Sequence, residues 1–196
     1  MPTFRVRGRG EKVPLSELQR DPLFVRIEQP AIVYHMTPRK NLDSILNDGK
    51  IKVFDDFICY FFPALEEIPV YVKLTGALHG RQYIGFDGKS HTAPPLIPAE
   101  QIVLKLVPRY SEPLYWYREN TLDRVMMQAE RENWTEERLQ EVIKRQTAFD
   151  LARVLHYGDM KFRQQQVEIL ELSDYIPANL EEMEFSEVMQ RKEVKA

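Results

Sequence analysis

Three short stretches of this sequence carry side chains that could perform chemistry, and the first contains His35 and Thr37. They stand two residues apart in Tyr34-His35-Met36-Thr37, where an apolar run ends. Side chains at positions i and i+2 of a strand project to the same face, so we expect the imidazole and the hydroxyl side by side. Both groups can hydrogen-bond ribose hydroxyls or an amide edge. The simpler interpretation, favoured for this pair alone, is a histidine bonded to neighbouring backbone and a threonine that only caps a helix.

Glu168 is the second candidate and lies in a late apolar run, predicted as a strand over 165–170. Strand alternation would place Gln166 and Glu168 on one face and Val167 and Ile169 on the other. In a cleft, the carboxylate could bind a ribose 2′-hydroxyl and stabilise an oxocarbenium ion by Coulomb attraction. On an exposed strand face, the same glutamine and glutamate would simply be hydrated.

Aromatic side chains form the third group, with Tyr60 and Tyr71 as candidate ligand contacts. A tyrosine ring can stack on a planar nicotinamide and help to exclude water. Plain core packing is the alternative, and it is preferred for Phe61 and Phe62.

Strands and helices that alternate along the chain must position these residues. An apolar strand is predicted over 31–35, followed by a short helix that Thr37 caps and Gly49 ends. Residues 69–74 are either a strand or the start of a helix. Further strands are predicted over 51–54, 57–62 and 101–107, and helices over about 120–133 and 135–157. This order predicts an α+β protein.

The chain divides into three parts at this level. Residues 1–30 are predicted to be an N-terminal extension that lies across the surface, and residues 31–184 a single domain. Residues 185–196 are predicted to be a tail, frayed at its end.

Composition narrows the classes of function. The chain has 196 residues and a net charge of −3, which argues against a surface that grips nucleic acid throughout. Its one cysteine, Cys59, cannot form an internal disulfide. No apolar run is long enough for a membrane span and no signal sequence is apparent, so we expect a cytoplasmic protein with no membrane partner. Zinc-ligand spacings, a phosphate-binding P-loop and a nucleophile elbow are absent from the sequence, and we expect no metal.

The candidate residues occur in a pattern that resembles DarT-type ADP-ribosyltransferases. Tyr34-His35-Met36-Thr37, then Asn41-Leu42, Ile45-Leu46 and Gly49, resembles the opening motif of that family. The stretch 59–63 resembles the family's next strand, and 101–107 a later one. Gln166-Val167-Glu168-Ile169-Leu170, followed by a proline and a short helix, resembles the segment that holds the catalytic glutamate.

The resemblance implies a split, curved mixed β-sheet flanked by helices, with NAD bound as a substrate in its cleft. It implies transfer of ADP-ribose, in DarT proper to a base of single-stranded DNA. By position, His35, Thr37 and Asn41 would hold NAD, Tyr60 or Tyr71 would wall the nicotinamide, and Glu168 would be catalytic. The partners implied are NAD, single-stranded nucleic acid and an antitoxin protein.

One departure from the family pattern gives an alternative function. DarT proper has a basic loop after the first helix, with an arginine that serves NAD and catalysis. Here Asp55-Asp56 occupies that place, and Arg39 or Arg81 would have to substitute. The first hypothesis is therefore an ADP-ribosyltransferase that modifies a DNA base or another intracellular target. The second is a catalytically inactive relative that binds a nucleotide or nucleic acid, and the third a regulator that acts through the helices of 120–157.

Overall fold

The structure, a computed structural model, describes residues 14–53, 58–84, 90–110 and 115–195. Within these ranges the chain forms eleven strands and six α-helices. The strands are β1 Phe24–Arg26, β2 Val33–Pro38, β3 Lys50–Ile51, β4 Ile58–Phe61, β5 Arg81–Ile84, β6 Ser90–Ala93, β7 Gln101–Leu106, β8 Trp116–Glu119, β9 Val154–Tyr157, β10 Met160–Lys161 and β11 Glu168–Glu171. The helices are α1 Leu15–Leu18, α2 Leu42–Asp48, α3 Glu67–Thr75, α4 Leu122–Glu132, α5 Glu136–Ala152 and α6 Phe185–Lys195.

Two larger sheets form the centre of the fold. One has the order β1-β8-β9-β4 and the other the order β11-β7-β2, while β10-β3 and β5-β6 are separate pairs. Tyr34 of β2 forms an antiparallel bridge with Phe62, the residue after β4: the N–H group of each donates to the other's carbonyl, at 2.9 and 2.8 Å. Within the described ranges, this bridge joins the two sheets, which diverge from it.

The chain is α+β, as predicted, but the expectation of a mixed sheet is wrong. Every strand pair among the described residues is antiparallel. The β8–β9 pair shows one reason. A single crossover helix makes neighbouring strands parallel, whereas the helix pair α4–α5 returns the chain to the end of the sheet that it left.

Apolar side chains fill both sides of the central sheets. One cluster lies between the sheets and α2, and it includes Val33, Leu104, Phe61 and Trp116, all fully buried. A second cluster joins the opposite face to α3, α6 and the segment before α6. A side chain on β2, β7 or β11 therefore enters one of two separate environments, according to its face.

Several local predictions differ from the structure. Residue Thr37 lies inside β2 rather than at a helix cap, because the strand continues to Pro38. The short helix ends at Gly49 as predicted, in the left-handed conformation with φ of 63°. Residues 69–74 belong to helix α3. The long helix ends at Ala152 rather than near Tyr157, because residues 154–157 pair with β4 and β8.

Both ends of the described chain belong to the folded unit. Strand β1 pairs with β8, and Leu18 of α1 is 4% exposed, so residues 14–30 extend the first sheet. Residues 185–195, predicted as part of a tail, form the helix α6, which buries Val188 against α3 and its neighbours. Lys192 of α6 also pairs with the buried Glu67, at 2.5 Å between Nζ and Oε1.

Candidate functional site

The register of β2, β7 and β11 places His35 and Glu168 on opposite faces. In one row across the three strands, Leu104 of β7 pairs with His35 of β2 and with Ile169 of β11. In the next row, Lys105 of β7 pairs with Tyr34 of β2 and with Glu168 of β11. Residues paired directly across strands project to one face, and alternate residues project to the other. We call the two sides the His35 face (His35, Thr37, Leu104, Ile169, Glu171) and the Glu168 face (Tyr34, Met36, Lys105, Glu168, Leu170). The expectation that the imidazole and the carboxylate line one crevice is therefore wrong.

His35 lies where β2 and β4 diverge. Its Nδ1 is 3.3 Å from the carbonyl oxygen of Tyr60, and its ring lies 5.6 Å from that of Phe61. Loss of hydration lowers the pKa of His35 to about 4, against the smaller opposing effect of the Tyr60 carbonyl. At neutral pH the imidazole is therefore uncharged, and Nδ1 is the nitrogen that can donate to that carbonyl. This geometry matches the simpler interpretation, a histidine bonded to neighbouring backbone.

Thr37 and Asn41 satisfy each other. The Thr37 side chain is buried at 4% exposure, and its Oγ1 accepts a hydrogen bond from Asn41 Nδ2 at 3.2 Å. Both predicted ligand contacts therefore stabilise the turn from β2 into α2.

Glu168 is held by a lysine on the neighbouring strand. Its Oε1 lies 2.8 Å from Lys105 Nζ, and the Glu168 side chain is 58% exposed. This hydrogen bond raises the pKa of Lys105 above its ordinary value. Tyr34 lies on the other side of Lys105, directly across from it on β2. Burial raises the pKa of Tyr34, while the charge of Lys105 acts in the opposite direction.

A cavity of about 600 Å³ borders the Glu168 face. Glu66 and Tyr175, which lie close enough to Tyr34 to influence its pKa, line this cavity together with residues of α6. The rest of the lining is largely apolar, from Leu65, Pro69, Met183 and Val188. Tyr34 and Glu168 thus stand beside the cavity rather than in its lining.

Tyr60 and Tyr71 meet at an arginine that the sequence did not single out. The guanidinium carbon of Arg153 lies 4.4 Å from the Tyr60 ring centroid, 5.4 Å from that of Tyr71 and 4.4 Å from that of Phe149. Arg153 also pairs with Glu119 at 2.7 Å, and its side chain is only 13% exposed. Tyr60 or Tyr71 was expected to wall the nicotinamide; here both rings lie against the Arg153 guanidinium, which covers the ring of Tyr60. Because 135–157 was predicted as one helix, Arg153 gave no signal in the sequence.

The two arginines considered as substitutes occupy different places. Arg39 forms an ion pair with Glu171 at the His35 face. Arg81 lies in β5, on the separate β5-β6 pair, and Asp55-Asp56 lies outside the described residues. Arg39 is therefore engaged by Glu171 rather than by Glu168.

A second, smaller cavity combines aromatic and basic side chains. We call it the strand-end pocket, and it has a volume of about 340 Å³. Its lining is Arg109, Tyr110, Tyr115, His156, Tyr157, Gly158, Asp159 and Lys161. This mixture of rings and cations is the kind of lining that suits a ligand with a planar part and an anionic part.

Within the described ranges, no group of three or more His, Cys, Asp and Glu side chains could hold a metal ion. None of the helices in those ranges is long and apolar enough to cross a membrane. Comparison of the chain with family models, with curated proteins and with solved structures gives no match in any of the three.

Proposed function

We propose that this chain is a nucleotide-binding protein of ADP-ribosyltransferase-like type that does not transfer ADP-ribose through His35 and Glu168. The placement of these two residues on opposite faces of one sheet carries the proposal. Catalysis by positioning requires that the groups converge on the same reacting bond, within a few ångströms. The sheet itself separates the imidazole from the carboxylate, and this separation prevents that convergence.

The contacts of each residue support the same conclusion. Glu168 already pairs with Lys105, so the field that its carboxylate would exert on an oxocarbenium ion is largely cancelled by an ammonium 2.8 Å away. His35 places Nδ1 against the Tyr60 carbonyl and is neutral at physiological pH.

Two observations support nucleotide binding. The motif of residues 34–49 resembles one that holds NAD in DarT-type ADP-ribosyltransferases, and it folds here as a strand, a turn and the helix α2 that ends at Gly49. The strand-end pocket offers cations and aromatic rings in one cavity. Nucleotides contain the anionic and the planar groups that these side chains recognise.

The experiment measures binding and turnover separately. Thermal unfolding of the full chain is followed without ligand, with NAD and with AMP, because a ligand that binds only the folded state raises the melting temperature. At a concentration 100 times Kd the gain is about 2.7 kcal/mol. In parallel, labelled NAD is incubated with the chain and with single-stranded DNA, RNA or protein, and release of nicotinamide is measured.

Two variants decide the outcome. Glu168→Gln tests the predicted catalytic residue, and Glu171→Gln is its matched control, on the same strand but on the His35 face. We expect a shift in melting temperature with a nucleotide, no transfer by the unaltered chain, and the same nucleotide affinity in both variants. Transfer of label that Glu168→Gln abolishes and Glu171→Gln retains would refute the proposal and establish the transferase.

A further inference from the structure

Three cationic residues lie side by side next to the strand-end pocket. Lys161 of β10 pairs with Lys50 of β3 in the antiparallel register. On the other side of Lys161, the backbone N–H of Arg109 donates to the Lys161 carbonyl at 2.9 Å. The N–H of Arg163 donates to the Val107 carbonyl at 3.0 Å, and Pro108 forms a bridge with Phe162. These contacts hold residues 107–109, which follow β7, against residues 161–163 at the end of β10.

Only one of these three cations has an acidic partner among the residues that the structure describes. Lys50 pairs with Asp159, at 2.6 Å between Nζ and Oδ2. The second oxygen of Asp159 accepts the backbone N–H of Val53 at 3.0 Å. Arg109 and Lys161 form no ion pair within residues 14–53, 58–84, 90–110 and 115–195.

Arg109 and Lys161 are exposed cations in adjacent positions. Like charges that face each other across strands destabilise a sheet. Among the described lining residues the carboxylate is that of Asp159, which pairs with Lys50 and accepts the Val53 N–H rather than pairing with Arg109 or Lys161. A bound anion would relieve the repulsion between them, and a phosphate matches both an arginine and a lysine.

The rest of the lining supplies rings. Those of Tyr115 and Tyr157 are nearly parallel, with an angle of 12° and centroids 6.1 Å apart. Tyr115 also contacts His156 at 5.8 Å between centroids, and Tyr110 is 85% exposed beside Arg109. Bases stack on such rings whatever their identity, because every base has a π face.

We infer that the strand-end pocket binds a nucleoside phosphate, with the phosphate between Arg109 and Lys161 and the base against Tyr115 and Tyr157. The inference rests on the proposed function and gives it a site. The pocket volume of about 340 Å³ lies at the lower end of the range for small-molecule sites, which favours one nucleotide unit over a dinucleotide. That unit is either a free mononucleotide or the phosphorylated end of a nucleic-acid strand.

Binding is measured by calorimetry with the full chain and three probes: AMP, a 5′-phosphorylated hexathymidylate and inorganic phosphate. The test variant is Arg109→Ala combined with Lys161→Ala, and Lys144→Ala, an exposed cation on α5, is the matched control for charge. We expect AMP to bind at least tenfold more tightly than phosphate, because stacking adds to the charge contacts. We expect at least a tenfold loss of AMP affinity in the double variant and no change in Lys144→Ala.

Ring stacking is tested separately. Tyr157→Phe keeps the ring and should keep the affinity, whereas Tyr157→Ala should weaken AMP binding about 5-fold or more. Tyr115→Ala repeats the test if Tyr157→Ala does not fold, which a thermal unfolding curve shows. If the hexathymidylate binds more tightly than AMP, the natural ligand is the end of a nucleic-acid strand. If AMP binds as tightly or more tightly, the natural ligand is a free nucleotide.

The failures of site and function are distinguishable. Nucleotide binding that survives both the double alanine variant and the ring variants would overturn the site and leave the proposed function intact. Phosphate that binds as tightly as AMP would overturn the assignment of a nucleoside. A chain that binds neither AMP, the hexathymidylate nor NAD would overturn the site and the function together.

Discussion

Replacing His35 with asparagine is expected to remove part of the acid sensitivity of the fold. In the folded chain the pKa of His35 is lowered to about 4, whereas in the unfolded chain it returns to about 6.5. Between these values the unfolded state binds more protons, so stability falls as the pH falls below 6.5. Asparagine is a suitable replacement because its side-chain amide can donate to the Tyr60 carbonyl, as Nδ1 can.

The magnitude follows from the two pKa values. At pH 5, protonation of the unfolded imidazole costs the fold about 2 kcal/mol relative to pH 8, rising to about 3 kcal/mol below pH 4. For a chain of this size, about 2 kcal/mol corresponds to a melting temperature lower by about 4–8 °C. His156, whose pKa burial also lowers, acts in the same direction, so the test is the difference between the unaltered chain and the variant.

The assay is thermal or urea unfolding from pH 8 to pH 4.5, for the unaltered chain and for His35→Asn, with the His35 ring followed by NMR titration. From pH 8 to pH 5 we expect the unaltered chain to lose about 2 kcal/mol more free energy of unfolding than His35→Asn. A titration midpoint of His35 near 6.5, or the same pH dependence in both proteins, would show an imidazole in an open, hydrated crevice and would refute the reasoning.

Two further predictions concern buried charges. Asp150 is 7% exposed and accepts hydrogen bonds from Thr121 N, Thr121 Oγ1 and Gln146, at 2.8, 2.8 and 3.1 Å. Asp150→Ala should therefore lower the free energy of unfolding by about 2–4 kcal/mol, whereas Asp123→Ala, at an exposed position, should change it little. Equal effects of the two variants in a denaturant titration would contradict the role of these bonds. Lys192→Ala should destabilise by about 3–5 kcal/mol and speed hydrogen exchange in α6, because it leaves the Glu67 carboxylate buried without its partner. The double replacement Glu67→Leu and Lys192→Leu should restore most of that stability, and no recovery would show that the ion pair itself is required.

Local features of the fold were readable from the sequence because they depend on a few neighbouring residues. Gly49 ends α2 with φ of 63°, a left-handed conformation that glycine adopts more readily than residues with a side chain. Strand β7 follows from a short, largely apolar run with Ile102, Leu104 and Leu106 on one face, and the observed 101–106 differs by one residue from the prediction. The end of α5 was missed because residues 154–157 continue an apolar pattern that both a helix and a buried strand allow.

The sequence by itself determined the α+β class, the motif of residues 34–49 and the types of side chain available for a site. Only the tertiary structure decided which of those side chains share an environment. The face of Glu168 depends on its pairing with Lys105, and in a sheet a shift of one residue moves a side chain to the opposite face. Arg109 and Lys161, far apart in the chain, become neighbours only when the segments after β7 and β10 pair. Strand pairing joins residues that are distant in sequence, and its register is set by the packing of the whole fold rather than by the local pattern.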